Sequence, residues 1–465
     1  PEEEAQIKDE NLPPEADDGK WTGYETFQVE LAVNAELYLT GDIVRRANDL
    51  DDLINKSDIE GAVNRASQVP PTLTQQDFRN LVNLYDQING LNYGGDGVGE
   101  LAGGLFGRYK WFGLGVYTNT YVEVAPHVDL ANQAGFSDTA TVNQIGDELR
   151  AQGNLSSSPT TTGGQQLQTK LLQSVPGLTA ENAGAIAVLA EQSGVDLSNP
   201  DLQNALTIAS QQSGLLAGGG ISHNLSGATA KALSTQEVAI TLGIPLSSEI
   251  GLPLDPDILG IGISPKLMHG ITAEKDVRVV DVINDNESFK DVASDFWKNR
   301  EESFTWGIDA GVTLQPFSFL RVGVTGRNLN NPKFKLKDGS DFELRRQVRG
   351  GIEIRPIPSI ALACDADLIV NKSDALPGLK SRQIGGGIEW NPDWRDFGFA
   401  VRVGSYGDLE DQRSGFSPIL TGGIGFKIFA FTFDLAGSFS YKREKFRDYE
   451  VPRDCGLAAD LGLSF

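Results

Sequence analysis

Apolar and polar residues alternate strictly through YETFQVELAVNAELYLT, with Phe27, Val29, Leu31, Val33, Ala35, Leu37 and Leu39 at odd positions and Thr26, Gln28, Glu30, Asn34 and Glu36 between them. Period two predicts a strand with one apolar and one polar face. The segment is longer than the roughly six residues usual in soluble sheets, and it matches the roughly 9–11 a tilted strand needs to cross a bilayer. The pattern recurs in the C-terminal half. Phe304, Trp306, Ile308, Ala310, Val312 and Leu314 alternate with Thr305, Asp309, Thr313 and Gln315; Leu320, Val322 and Val324 alternate with Arg321, Thr325 and Arg327. Val348, Ile352 and Ile354 stand against Gln347, Arg349, Glu353 and Arg355, and six further segments follow up to Phe465. Less regular strands are expected at 98–109, 112–126, 233–247 and 257–272. Charges fall repeatedly on the face that a soluble sandwich would bury less often. The fold class predicted is therefore an all-β transmembrane barrel of about fourteen antiparallel strands, apolar toward lipid and polar toward a lumen.

Connection lengths support this. Counting back from the C-terminus, short turns near Lys427–Ala430, Asn391–Asp396, Arg355–Ser359, Gln315–Ser318, Ser248–Asp257 and Lys110–Trp111 alternate with longer connections. In such barrels the short turns are periplasmic and the long loops extracellular. Residues 24–465 then form the barrel, 40–97 and 127–232 are extracellular insertions, and 1–23 are an acidic tail, periplasmic or plug-like. Trp111, Phe317, Phe319, Trp390, Trp394 and Phe429 gather at the short-turn end, with Phe304 and Trp306 near the other, as aromatic girdles do. Inside the insertions apolar residues repeat at helical spacing (Phe78, Leu81, Leu84, Tyr85, Ile88), and Asn199-Pro200 reads as an N-cap followed by N1. These faces are expected to pack on one another as a helical cap, part of which could line a ligand groove.

Composition changes the picture in three places. A net charge of −24 argues against nucleic acid or an anionic membrane face as partner. Segments 1–23, 40–97 and 128–232 carry −15 of it, so the wall is only moderately charged. The 53 glycines fall largely in predicted strands, where they ease curvature. Two cysteines, Cys364 and Cys455, make no disulfide framework or zinc set. The chain opens at Pro1 on PEEEAQIKDENLPPEADDGK, without an initiator Met, which fits a cleaved export signal or an absent leader. No 18-residue apolar run predicts a membrane helix.

Little of the chemistry points to catalysis. His127, His223 and His269 lie far apart in sequence with no partner at a fixed spacing. The glycine-rich GGDGVGELAGG leads into a strand, not into a phosphate-cradling helix. Acids at Asp49, Asp51 and Asp52, and at Asp285 and Glu287, lack the spacing of a calcium loop. No enzyme activity, cofactor or metal is expected. The candidate binding residues are lumenal: Glu30, Arg321, Arg327, Arg349, Asp365, Asp367 and Arg402. Mixed signs there suggest a structural network, although an Arg cluster can also orient a ligand carboxylate. Pro245 and Pro265 interrupt neighbouring strands, each removing a ladder hydrogen bond, and mark a kink or lateral opening toward the bilayer.

From VRVGVTGRNLNNPKF through LRRQVRGGIEIRP, ALACDADLIVN, RQIGGGIEW, FAVRVGSYGD and LTGGIGFKIFAFTFDLAGS to LGLSF, the last 150 or so residues resemble the conjugal-transfer TraF-like outer-membrane family, which looks like a branch of the FadL/PorV-type barrels. The strings GRNLNNP, ACDADL and FTFDLAGS carry the resemblance. The terminal Leu461-Gly-Leu463-Ser-Phe465 resembles the closing strand of outer-membrane proteins. The FadL-type asparagine-proline-alanine plug segment is absent from residues 1–23. The resemblance implies an outer-membrane location with two competing functions. One is a FadL-like channel for a hydrophobic small molecule. The other is a docking component of a surface, conjugation or secretion assembly, with a protein partner or a sister copy covering the cap. The expected partners are outer-membrane lipid, a hydrophobic ligand and such a protein.

Overall fold

A computed structural model describes residues 27–39, 43–91, 95, 97–129, 132–153, 155–214, 220–245, 258–283, 298–372, 380–394, 397–410, 417–446 and 449–464. The acidic tail 1–23, the turn Ser248–Asp257, Asp285, Glu287 and Phe465 lie outside this set, as does the side chain of Trp394.

Fourteen strands form the wall. They are β1 (Phe27–Leu39), β2 (Gly97–Tyr109), β3 (Phe112–His127), β4 (Gly227–Pro245), β5 (Leu259–Arg278), β6 (Glu301–Phe317) and β7 (Leu320–Arg327). The second half comprises β8 (Gln347–Ile357), β9 (Ile360–Asp367), β10 (Gln383–Trp390), β11 (Phe397–Asp408), β12 (Ile419–Ile428), β13 (Phe431–Ser440) and β14 (Asp454–Ser464). Each pairs antiparallel with its sequence neighbour, and β1 pairs with β14 from Gln28↔Ser464 to Tyr38↔Asp454. The sheet is thereby a closed barrel. Closure satisfies every strand's edge, which a membrane-embedded sheet requires.

The apolar face of each strand points outward. Phe304 is 82% exposed, Leu267 71% and Val403 65%, an inversion that water would penalise and lipid rewards. Trp111, Phe317, Phe319, Trp390 and Phe429 are exposed at the short-turn end, with Phe304 and Trp306 further along the wall. Two of the short turns are two-residue hairpins whose first residues, Lys110 (φ 55°) and Phe429 (φ 53°), adopt the left-handed conformation that tight hairpins favour.

The wall is uneven. β4 and β5 run for 19 and 20 residues, whereas β7, β9 and β10 have eight each. The pattern placed the fourth and fifth strands at 233–247 and 257–272, which falls short by six residues at the long-loop end of each. There GATAKA has alanine as its only apolar residue and leaves no strong hydrophobic period to read.

Eight α-helices occur among the described residues, seven of them in the two insertions. They are α1 (Ile43–Lys56), α2 (Ile59–Ala66), α3 (Gln75–Leu91), α4 (Val142–Ala151), α5 (Thr162–Ser174), α6 (Ala180–Gln192), α7 (Pro200–Gln212) and α8 (Val279–Ile283). Thr141 and Gln144 form a capping box, Thr161 and Thr179 cap the next two helices, and Asn199 caps α7 ahead of Pro200. The two insertions share one core. Phe136 from the second sits 5.0 Å from Phe78 and 5.2 Å from Tyr85 of α3, and Val279 and Ile283 of α8 join it. Asp49 and Asp52 pair with Arg45 and Lys56 one turn away on α1, which is the surface-helix arrangement and not an ion loop.

Candidate functional site: the lumen

The alternate residues of β1–β14 that face away from lipid define the lumen, and charge lines it. Arg349 Nε donates to Asp365 Oδ1 at 2.6 Å. Arg321 donates to Gln315 Oε1 at 3.3 and 3.2 Å and stands 3.9 Å from Glu353, whose carboxylate also accepts from Arg355 at 2.8 Å. Arg402 bridges Glu389, at 2.5 Å, and Asp434. Arg349 and Arg402 present a planar fork to carboxylates on adjacent strands, and Arg402 also reaches Asp434 two strands away, which ties strands together across the lumenal face.

The seven predicted residues do not converge on one point. Arg321, Arg349 and Asp365 stand together at one cavity, whereas Arg402 belongs to the separate cluster on β10, β11 and β13. Glu30 is hydrogen-bonded to Asp460 of β14. Asp367 is buried and accepts from the Gln383 amide (2.8 Å) and Asn371 (2.9 Å), so it holds the loop after β9. Arg327 makes no hydrogen bond or ion pair among the described residues; its charge acts on Glu100, Tyr117 and Tyr121 of β2 and β3. Several lumenal residues escaped the sequence reading. Lys266 is buried between Glu237 (3.0 Å) and Asp309 (3.2 Å), and Tyr406 donates to Glu36 (2.8 Å) and Asp454 (3.2 Å). Parity within β5 places Lys266 inward and could have found it.

The two prolines sit differently in the wall. Pro245 is the last described residue of β4 and stands in register opposite Gly260. At Pro265 the β4–β5 ladder lapses between Ala239↔Lys266 and Leu242↔Ile263, yet it resumes in the same register. Thr241 and Ser264 are hydrogen-bonded across the lapse at 2.8 Å. Pro265 faces lipid and removes one backbone donor, and a side-chain bond between its neighbours bridges the lapse.

A cavity of about 530 Å³ lies against β4–β9. Glycines form its wall: Gly243, Gly262 and Gly311 are in register across three strands, and Gly323 pairs with Gly351. These glycines are not forced by packing. A Cβ would meet nothing within 4 Å at Gly243, and at Gly262 its nearest neighbour would be 3.9 Å away. Glycine in a strand interior costs roughly 0.5–1 kcal/mol against alanine, and here the return is lumen volume. Arg321, Arg349, Glu353 and Asp365 rim the space.

His127, His223 and His269 each have local partners: His127 the carbonyl of Leu225 (2.7 Å), His223 the hydroxyl of Ser222 (3.0 Å) and His269 the side chain of Gln236 (2.6 Å). No group of three or more potential metal ligands occurs among the described residues.

A closed fourteen-stranded sheet with lipid-facing apolar residues and a charged interior defines an outer-membrane-type β-barrel. The sequence also matches the family model described as "F plasmid transfer operon, TraF, protein" over residues 25–367, and the chain belongs to that family. The matched range includes both helical insertions. No curated protein matches the sequence. Among solved structures, the Ralstonia pickettii toluene transporter TbuX is similar at 9% identity over 95% of this chain and 89% of that one, with a TM-score of 0.39. A Pseudomonas aeruginosa FadL homologue matches at 8% over 95% and 90%, with a TM-score of 0.38. The Pseudomonas putida toluene transporter TodX matches at 8% over 94% and 88%, with a TM-score of 0.34.

Proposed function

We propose that this protein is an outer-membrane channel for a hydrophobic small molecule, with its helical body on the extracellular side. The observation that carries this reading is the glycine-walled cavity. Its volume falls within the roughly 300–1,000 Å³ typical of small-molecule sites. Glycine backbone and apolar side chains such as Val312 and Ile352 make up much of its wall, and its charged rim is already paired, so the surface offered has little unmet demand for polar partners. An apolar cargo loses nothing there by lacking hydrogen-bond groups.

Gly262→Phe tests this, because the space beside Gly262 accepts a side chain without moving backbone. Uptake of the apolar fluorophore 1-N-phenylnaphthylamine is measured in cells whose lipopolysaccharide-covered outer membrane otherwise excludes it. Expression of the protein is expected to raise uptake, and Gly262→Phe to lower it at least tenfold with the barrel still folded. Uptake equal to that of cells lacking the protein would overturn the reading.

A further inference from the structure

We propose that the connection between β7 and β8 is a gate of the lumen, folded inward and latched by Phe334. The segment opens on GRNLNNP, whose asparagines turn the chain. Asn328 (φ 51°) and Asn331 (φ 50°) are left-handed, a conformation that asparagine tolerates better than most residues. The β6–β7 ladder stops at Ala310↔Gly326, and beyond it the elbow is pinned to β6: Leu329 N donates to Ile308 O at 2.9 Å, and Asn330 Nδ2 to Trp306 O at 2.9 Å. The chain then forms a small hairpin, Lys333–Lys335 against Asp341–Glu343. It lies on the lumenal face of β4–β6.

Phe334 holds it there. The ring is fully buried among Leu233, Met268, Leu336 and Phe342. Gly270 forms the floor of this socket: a Cβ there would sit 2.1 Å from the ring. Leu233, Met268 and Gly270 are on the inward parity of β4 and β5, a face otherwise given to polar groups such as Thr235, Glu237 and Lys266. Apolar side chains at those positions would face water if the hairpin left, so the wall is built to receive it. Among the described residues the ties that anchor the hairpin to the wall include Thr272 Oγ1 donating to Lys335 O (2.5 Å), Lys335 N to Ser303 Oγ (3.1 Å) and Lys337 Nζ to Asn299 Oδ1 (2.7 Å). A fixed elbow, one aromatic latch and a handful of hydrogen bonds make a segment that can leave as a unit, unlike a wall strand held by two full ladders.

This inference deepens the channel reading and rests on it for its physiological meaning, but its test does not use a hydrophobic cargo. Ion conductance is recorded in planar bilayers for a Cys364→Ser, Cys455→Ser background. Phe334→Ala is expected to raise mean conductance several-fold, and Phe334→Leu to restore the low level. Ser303→Cys with Lys335→Cys, at positions whose hydroxyl and backbone amide lie 3.1 Å apart, should bring the Phe334→Ala channel back to the low level when oxidised and release it on reduction. Equal conductance for the parent and Phe334→Ala, with both shown folded by heat-modifiable gel mobility, would overturn the gate. So would an oxidised pair that leaves Phe334→Ala fully conducting. Either failure leaves the fluorophore uptake result standing, and absent uptake leaves the conductance result standing.

Discussion

The helical body and the barrel wall of this chain obey opposite rules. In the body Phe78 and Leu84 are fully buried, and charges such as Asp52 and Lys56 face outward. In the wall Phe304 and Val403 are exposed, and Lys266 is buried between two carboxylates. The same twenty side chains are sorted by the same preference for like surroundings. Only the solvent differs: water around the body, lipid around the wall and water again within the lumen. Exposure of large apolar residues is thus a fault in one region and the condition of stability in the other.

The largest expected effect that would break this contrast is at the core joining the two insertions. Phe78→Ala should cost about 3–5 kcal/mol and abolish the protease resistance of the helical body. The barrel should keep its heat-modifiable mobility on gels. Simultaneous loss of both would show that the two regions are one cooperative unit. A smaller effect is expected on the wall. Val33→Arg, lipid-facing, should cost about 2–4 kcal/mol in urea-driven unfolding from liposomes, whereas Asn34→Arg, one residue on and lumen-facing, should cost well under half of that. Equal costs at 33 and 34 would refute the assigned faces.

The smallest effect sharpens the body alone. Burial pushes the Asp77 carboxyl up, but hydrogen bonds from Arg65 (2.6 and 2.8 Å) and from Thr74 outweigh it and bring the group below the ordinary carboxylate range. A depressed folded pKa contributes stability that is present above the unfolded value near 3.9 and is lost as pH falls through the folded one. Asp77→Asn should therefore destabilise the body by about 1–2 kcal/mol at neutral pH. The gap should close below about pH 4, and thermal melts of wild type and variant at pH 7 and 3 would show it. A gap that stays constant with pH would mean that Asp77 acts by shape and not by charge.

The wall was legible in the sequence because a strand's two faces alternate without help from the rest of the fold. Val29, Leu31 and Val33 say which side sees lipid before any neighbour is known. The candidate site was less legible. Arg321, Arg349 and Asp365 could be placed on the lumenal face, but their grouping round one cavity depends on register, as does the separation of Arg402 from them. Gly243, Gly262 and Gly311 read singly as curvature; only the alignment of three strands makes them a wall. Pro265 read as a breach because Thr241 and Ser264, which span the lapse, are 23 positions apart in sequence.

GRNLNNP shows the limit most clearly. The string stood out as a resemblance, yet nothing local says that two left-handed asparagines turn the chain inward or that Gly270, far along another strand, leaves room for Phe334. By itself the sequence determined the strand count, the two solvents and the existence of helical insertions, since these follow from periodicity, connection length and composition. Tertiary structure alone decided which charges pair, where the lumen is empty and what folds back into it, because those depend on distances between residues that only a closed sheet brings together.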